Sequence, residues 1–139
     1  MEKEYTLSEL SDILYLFGND IRMLHLHTVG DEFFSLHENL GDLYQIAFDA
    51  YDSIAEMAIS HDEPIYNPST ALERVNWNEL YDMDYTLENV VDYIRTNGAD
   101  VMKCIENVKK YESFVQSKID SYSEDLDSLI NYKFGQLAK

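Results

Sequence analysis

Three of the four histidines, His25, His27 and His37, fall within a short stretch, and neutral imidazole is the commonest metal ligand among side chains. Farther on, Asp52 and Glu56 stand four residues apart, a spacing that puts both carboxylates on one face of a helix. Imidazole with carboxylate suits Fe(II), Mn(II) or Zn(II), and a larger carboxylate share favours iron and manganese. Helix geometry restricts which groups can cooperate. His25 and His27, two residues apart, diverge by about 200° on a regular helix and cannot jointly hold one ion there. His25 and His37 flank the Gly30-Asp31-Glu32-Phe33 turn, and an αα-hairpin folded at that turn lets them approach. A plainer reading stands beside this one: a histidine at a helix end caps it, and an acidic pair on an acidic helix is a solvated face.

The elements that would carry these residues read as helices. Leu7, Leu10, Leu14, Phe17, Ile21 and Leu24 recur at steps of three and four, predicting a first helix over 6–28 with Thr6 and Glu9 as a capping box. Phe33, Leu36, Leu40, Leu43, Ala47, Tyr51, Ile54 and Ala58 predict a second over 31–60, with Asp31 as N-cap. Pro64 and Pro68 mark a connector, followed by a short helix in STALERVNW with Thr70 and Glu73 as a second capping box. Leu87 to Val108 predict a helix over 86–111, and Val115 to Phe134 another over 114–137. No strand-length alternation competes with them. Two helical hairpins joined by a long crossover with a short helix make an all-α four-helix bundle, one domain spanning 1–139.

Composition narrows the function. The chain has 139 residues, 10 Lys+Arg against 27 Asp+Glu, and a formal charge of −17. Lys3 and Arg22 are the only cations in the first 70 residues, which disfavours direct binding to nucleic acid or to anionic lipid. The same field favours cations or a basic protein partner, and it also keeps a protein soluble. A hydrophobic share of 45% is too rich for a disordered acidic chain. The single cysteine, Cys104, excludes an intramolecular disulfide framework and a multi-cysteine zinc site, and reads as packed on the apolar side of its helix. No run reaches the ~18 apolar residues of a membrane span, and MEKEYTLSEL lacks a signal-peptide pattern, so a cytoplasmic location is expected. Asp82-Met83-Asp84 lacks the other ligands of an EF-hand loop. Tyr81, Tyr85, Tyr93, Tyr111, Tyr122 and Tyr132 read as interface or core-edge residues.

The stretch LHLHTVGDEFFSLH, residues 24–37, resembles the Dps family of mini-ferritins, the ferritin-like proteins named for protecting DNA in starved cells. In the family pattern L-H-W-N-x-x-G-x-x-F-x-x-L-H, Leu24, His25, Gly30, Phe33, Leu36 and His37 fall in place without a gap. Tyr44, Asp52, Ala55, Glu56 and the Asp92-Tyr93 pair fall at matching steps, so the resemblance covers nearly the whole chain. It implies a ferritin-like bundle and an iron site shared between subunits: His25 and His37 from one chain, Asp52 and Glu56 from its two-fold mate. It implies a homo-oligomer, a dimer at minimum and a dodecameric shell in the family, that oxidises Fe(II) with peroxide or oxygen and stores Fe(III).

Three departures temper the resemblance. The acid that the family places four residues after His37 is Gly41 here, with Asp42 about 100° away around the helix. Leu26 replaces the usual Trp, and His27 the usual Asn, so His27 and Asp42 are the candidates for additional ligands. The termini, MEKEY and GQLAK, carry no basic arm for DNA. The contrasting expectation is a ferritin-like binding protein without catalysis, whose acidic surface engages a basic protein or mimics DNA.

Overall fold

Thr6 starts the first helix with a reciprocal capping box. Its Oγ1 accepts the Glu9 N–H at 3.1 Å, while Glu9 Oε1 accepts the Thr6 N–H at 3.2 Å. Helix α1 then runs Leu7–His27 and buries Leu10, Leu14, Phe17, Ile21 and Leu24 as one stripe. In this computed structural model the described residues are 3–75, 77, 80 and 83–138. Met1, Glu2, Asn76, Asn78, Glu79, Tyr81, Asp82 and Lys139 lie outside them, and with them the reading of Tyr81 and the start of the Asp82–Asp84 run.

The turn after α1 differs from expectation. Gly30 adopts φ +112°, a value that L side chains rarely take, and Asp31–Phe33 form a 3₁₀ turn before α2 begins at Phe34–Ser60. Asp31 is therefore not the cap of α2. Phe33 holds that position without a side-chain hydrogen bond. The connector also changes the cap of the short helix. Helix α3 spans Pro68–Val75, Asn67 Oδ1 accepts the Thr70 N–H at 3.3 Å, and Pro68 opens the helix where its missing N–H costs nothing.

Helix α4, Leu87–Glu106, is capped by Thr86, whose side chain accepts the Asn89 N–H at 3.1 Å. It stops short of 111 because the next residues pair elsewhere. Tyr5 N–H donates to Asn107 O at 2.8 Å and Lys109 N–H donates to Tyr5 O at 2.9 Å, an isolated bridge that pins the N-terminus to the α4–α5 corner. Helix α5, Ser113–Asp127, continues through a π-helical stretch, Ser128–Lys133, into α6, Phe134–Leu137. Among the described residues the chain is helical and forms no β-strand. Helix α1 packs on α2 and α4, α5 packs on α2 and α4, and α3 lies on α1. One apolar cluster joins them, with Phe17, Leu40, Ile54, Ile94, Val101, Leu126 and Phe134 at its centre. Each such side chain contributes roughly 1.5–3 kcal/mol by leaving water.

The crossover is tied down by polar contacts to α1. Trp77 packs edge-on against Phe17, and its indole N–H donates to Asp20 Oδ2 at 2.9 Å. Tyr93 O–H donates to the same oxygen at 2.5 Å, and burial, with that bond, pushes the phenol's pKa up so that it stays a neutral donor. Tyr93→Phe removes a hydrogen bond to a buried carboxylate. The expected loss is about 1.5–3 kcal/mol in urea unfolding, and an unchanged midpoint would contradict the role given to this bond.

Arg74 of α3 reaches α1 next to Ser8 and Asp12. Its Nη1 donates to Ser8 Oγ at 2.9 Å and stands 3.6 Å from Asp12 Oδ2, a buried oxygen that accepts no hydrogen bond. Burial pushes the Asp12 pKa up to about 6, assisted by Glu9 and opposed by Arg74. The folded chain therefore holds this proton over a window, from about 4 up to about 6, in which the unfolded chain has lost it. Through that window the contribution of Asp12 to stability falls as pH rises. Asp12→Asn is expected to melt above the wild type at pH 7 and with it at pH 4, and a gap that is the same at both pH values would contradict this.

Candidate metal site at the α1–α2 turn

The turn works as a hinge that stacks two imidazoles. Thr28 is fully buried, and its Oγ1 donates back to Leu24 O at 2.9 Å, which closes the end of α1. Beyond it, Gly30 and the 3₁₀ turn reverse the chain, and His37 arrives in the second turn of α2 opposite His25. The two rings stack with centroids 3.8 Å apart and planes inclined by 19°.

Two crossed hydrogen bonds fix their orientation. His25 Nδ1 lies 2.9 Å from His37 O, and His37 Nδ1 lies 3.0 Å from His25 O. A carbonyl oxygen only accepts, so each Nδ1 carries the proton and donates. In a neutral ring that tautomer leaves the lone pair on Nε2. A main-chain carbonyl holding the distal N–H is the usual outer-shell partner of a metal-binding histidine. The His25 carbonyl, near the end of α1, also accepts the N–H of the capping residue Thr28 at 3.4 Å, so the bond from His37 adds to the closure of that helix end.

Gly41 faces this pair. A Cβ built at Gly41 would lie 3.1 Å from His25 Cε1 and 3.5 Å from its Nδ1. Any Cβ at 41 would crowd the edge of the imidazole by a few tenths of an ångström, which gives the glycine a packing reason. Asp42 does not take the acid's place: α2 continues through 41–42 without unwinding, and Asp42 lines an outer recess with Gln45, Asp49 and Asp125. His27 points elsewhere as well, stacked on Tyr85 with centroids 4.4 Å apart and planes within 8°. His61 is the C-cap residue of α2, and its Nε2 is paired with Glu112 Oε1 at 2.7 Å.

Asp52 and Glu56 are both exposed on α2. Eleven residues separate Gly41 from Asp52, about 16 Å along the helix axis, so one ion cannot touch both ends within a chain. Accordingly, among the described residues no group of three or more His, Cys, Asp or Glu side chains in a single chain is arranged to hold a metal ion. The two ends nonetheless share a face: at ~100° per residue, His37, Gly41, Phe48 and Asp52 fall within an arc of about 60°.

Aromatic rings fill the stretch between the ends. Tyr44 stands edge-on to His25 at 5.3 Å and to Phe48 at 6.2 Å, and Tyr15 of α1 meets Phe48 at 5.9 Å and Tyr51 at 5.3 Å. Burial, followed by the neighbouring Asp52 carboxylate, pushes the Tyr51 phenol up. Sequence reasoning singled out Tyr44 but missed Tyr15 and Phe48. The spacing Tyr44-Phe48-Tyr51 is the signal that could have found a second, half-buried stripe on α2. Comparisons with protein families, curated proteins and solved structures find no match to this chain.

Proposed function

We propose that this chain is a Dps-like mini-ferritin with a ferritin-like four-helix bundle, which binds Fe(II) at sites completed between two copies and oxidises it. The observation that carries the reading is the crossed His25–His37 pair, with both Nδ1 atoms committed to carbonyl oxygens and both Nε2 lone pairs kept for a ligand role. A two-fold axis across the middle of α2 would run two α2 helices antiparallel. The His25/His37 end of each would then meet the Asp52/Glu56 end of the other, with the Tyr15, Phe48 and Tyr51 rings between them. Two imidazoles and two carboxylates make a mixed N/O donor set that suits iron. The carboxylate charge favours Fe(III) over Fe(II) and so drives electron loss. Each Fe(II) gives up one electron, and peroxide or oxygen takes the electrons, with the Fe(III) stored in an oligomeric shell.

Imidazole coordinates only when neutral, so Fe(II) binding weakens on acidification. The test is Fe(II) oxidation in air or with added peroxide, followed against a protein-free control. Oxidation well above the control supports the reading, and a rate equal to the control overturns it. One observation favours a second reading. Position 41 is a glycine packed against the His25 ring, which leaves the site one carboxylate short. In that reading the chain keeps the bundle without the chemistry, and its −17 charge engages a basic protein or mimics DNA. Recovery of a basic partner whose binding falls steeply with salt would support it.

A further inference from the structure

Helix α2 carries a second seam on its outer face, opposite the buried Leu40, Ala47 and Ile54. It starts at Phe34, advances in alternating steps of four and three residues, and ends at Ile59. That spacing keeps two helices in contact along their length. Phe34 is 71% exposed and Ile59 62% exposed, although both are large apolar side chains. Scattered exposed apolar residues need no explanation, but these two close the opposite ends of one line.

The seam is its own complement. Reversed about a point between Ile46 and Ala47, it falls on itself: Phe34 meets Ile59, Glu38 meets Ala55, Gly41 meets Asp52 and Gln45 meets Phe48. Such self-pairing is what a two-fold axis requires. The same reversal carries Glu56 onto His37 and sets Asp52 over Gly41, beside the His25 ring. No carboxylate on the seam faces another, in a chain whose charge of −17 makes such clashes easy. Sliding by one heptad sets Phe34 against Asp52 in one direction and Ile59 against Gly41 in the other. The register that joins the two exposed apolar residues is therefore the one that brings carboxylates to the imidazoles.

We propose that the outer seam of α2 is a self-association surface covered by a second, antiparallel copy of this chain, with Phe34 of each copy packed on Ile59 of the other. The proposal rests on the two-copy pairing in the iron reading, and adds its register and its apolar anchors. It requires no metal.

Disulfide trapping of the full chain, kept metal-free with a chelator and exposed to oxidised glutathione, tests the register. Twenty-five positions, about 37 Å of helix, separate 34 from 59, and a disulfide needs Cα atoms within about 7 Å, so a bridge between them joins two copies. Phe34→Cys/Ile59→Cys is expected to give a covalent dimer whose bridges map to 34–59. Each single variant faces an intact apolar partner and is expected not to crosslink, and the wild type controls for Cys104. By sedimentation, Ile59→Asp is expected to weaken association at least tenfold, and Phe34→Lys added to the same chain to recover most of it. A wild type that stays monomeric at submillimolar concentration overturns the proposal, as does a dimer of the double cysteine variant without the 34–59 bridge. So does Ile59→Asp associating as tightly as the wild type. Fe(II) oxidation separates the two readings. A chain that forms the bridge but oxidises no faster than the control supports this interface and removes the iron chemistry, whereas rapid oxidation without the bridge overturns this register alone.

Discussion

Replacing Asp52 and Glu56 together with Ala is expected to bring Fe(II) oxidation down to the rate of the protein-free control while leaving the helical circular dichroism unchanged. Both side chains are exposed on α2. The fold therefore has little to lose, since substitutions at such positions stay within about 0.5 kcal/mol. The chemistry has much to lose. With Gly41 in place of an acid, these two carboxylates are the ones that the proposed two-fold pairing would bring to the histidines. Removing an outer-shell partner of a metal ligand already costs about 10–100-fold, and removing both carboxylate ligands is expected to cost at least that. Stopped-flow absorbance of Fe(III) formation reads the effect directly. Retention of wild-type oxidation by the double variant would show that the two residues are a solvated face.

Phe17→Ala is expected to be the most destabilising single change, by about 3–5 kcal/mol. Phe17 is fully buried at the centre of the cluster joining α1 to its neighbours, and its ring also supports Trp77. Truncation leaves a cavity beneath the crossover and removes the contact that holds Trp77 over Asp20. The loss is a large share of the 5–15 kcal/mol typical of a domain, so the variant should unfold at much lower urea and with red-shifted tryptophan emission before the main transition. A midpoint shift worth less than about 1 kcal/mol would place Phe17 outside the core that the structure assigns to it.

The periodic apolar residues announced the helices because burial of one stripe per helix is a local pattern, and Thr6 with Glu9 announced a cap because both partners are close in sequence. The misses share a different origin. Helix α4 ends at Glu106 rather than 111 because Tyr5, far away in the chain, takes the Asn107 and Lys109 backbone groups. Asp31 looks like a cap until the positive φ of Gly30 forces a 3₁₀ turn between it and α2. For the candidate site, the spacing of His25 and His37 anticipated their approach across the hairpin. It could not anticipate the crossed Nδ1 bonds, or that the His25 ring packs into the space beside Gly41. Those depend on where two helices touch, which periodicity does not encode.

The central claim is that two incomplete half-sites, one at each end of an α2 face, are completed by a second copy. Mixing two inactive chains tests it most directly: His25→Ala/His37→Ala with Asp52→Ala/Glu56→Ala, unfolded and refolded together in equal amounts. Random pairing makes half of the dimers mixed, and each mixed dimer holds one intact site of two, so about a quarter of wild-type Fe(II) oxidation should return. A refolded mixture no more active than either variant alone would contradict a site shared between chains.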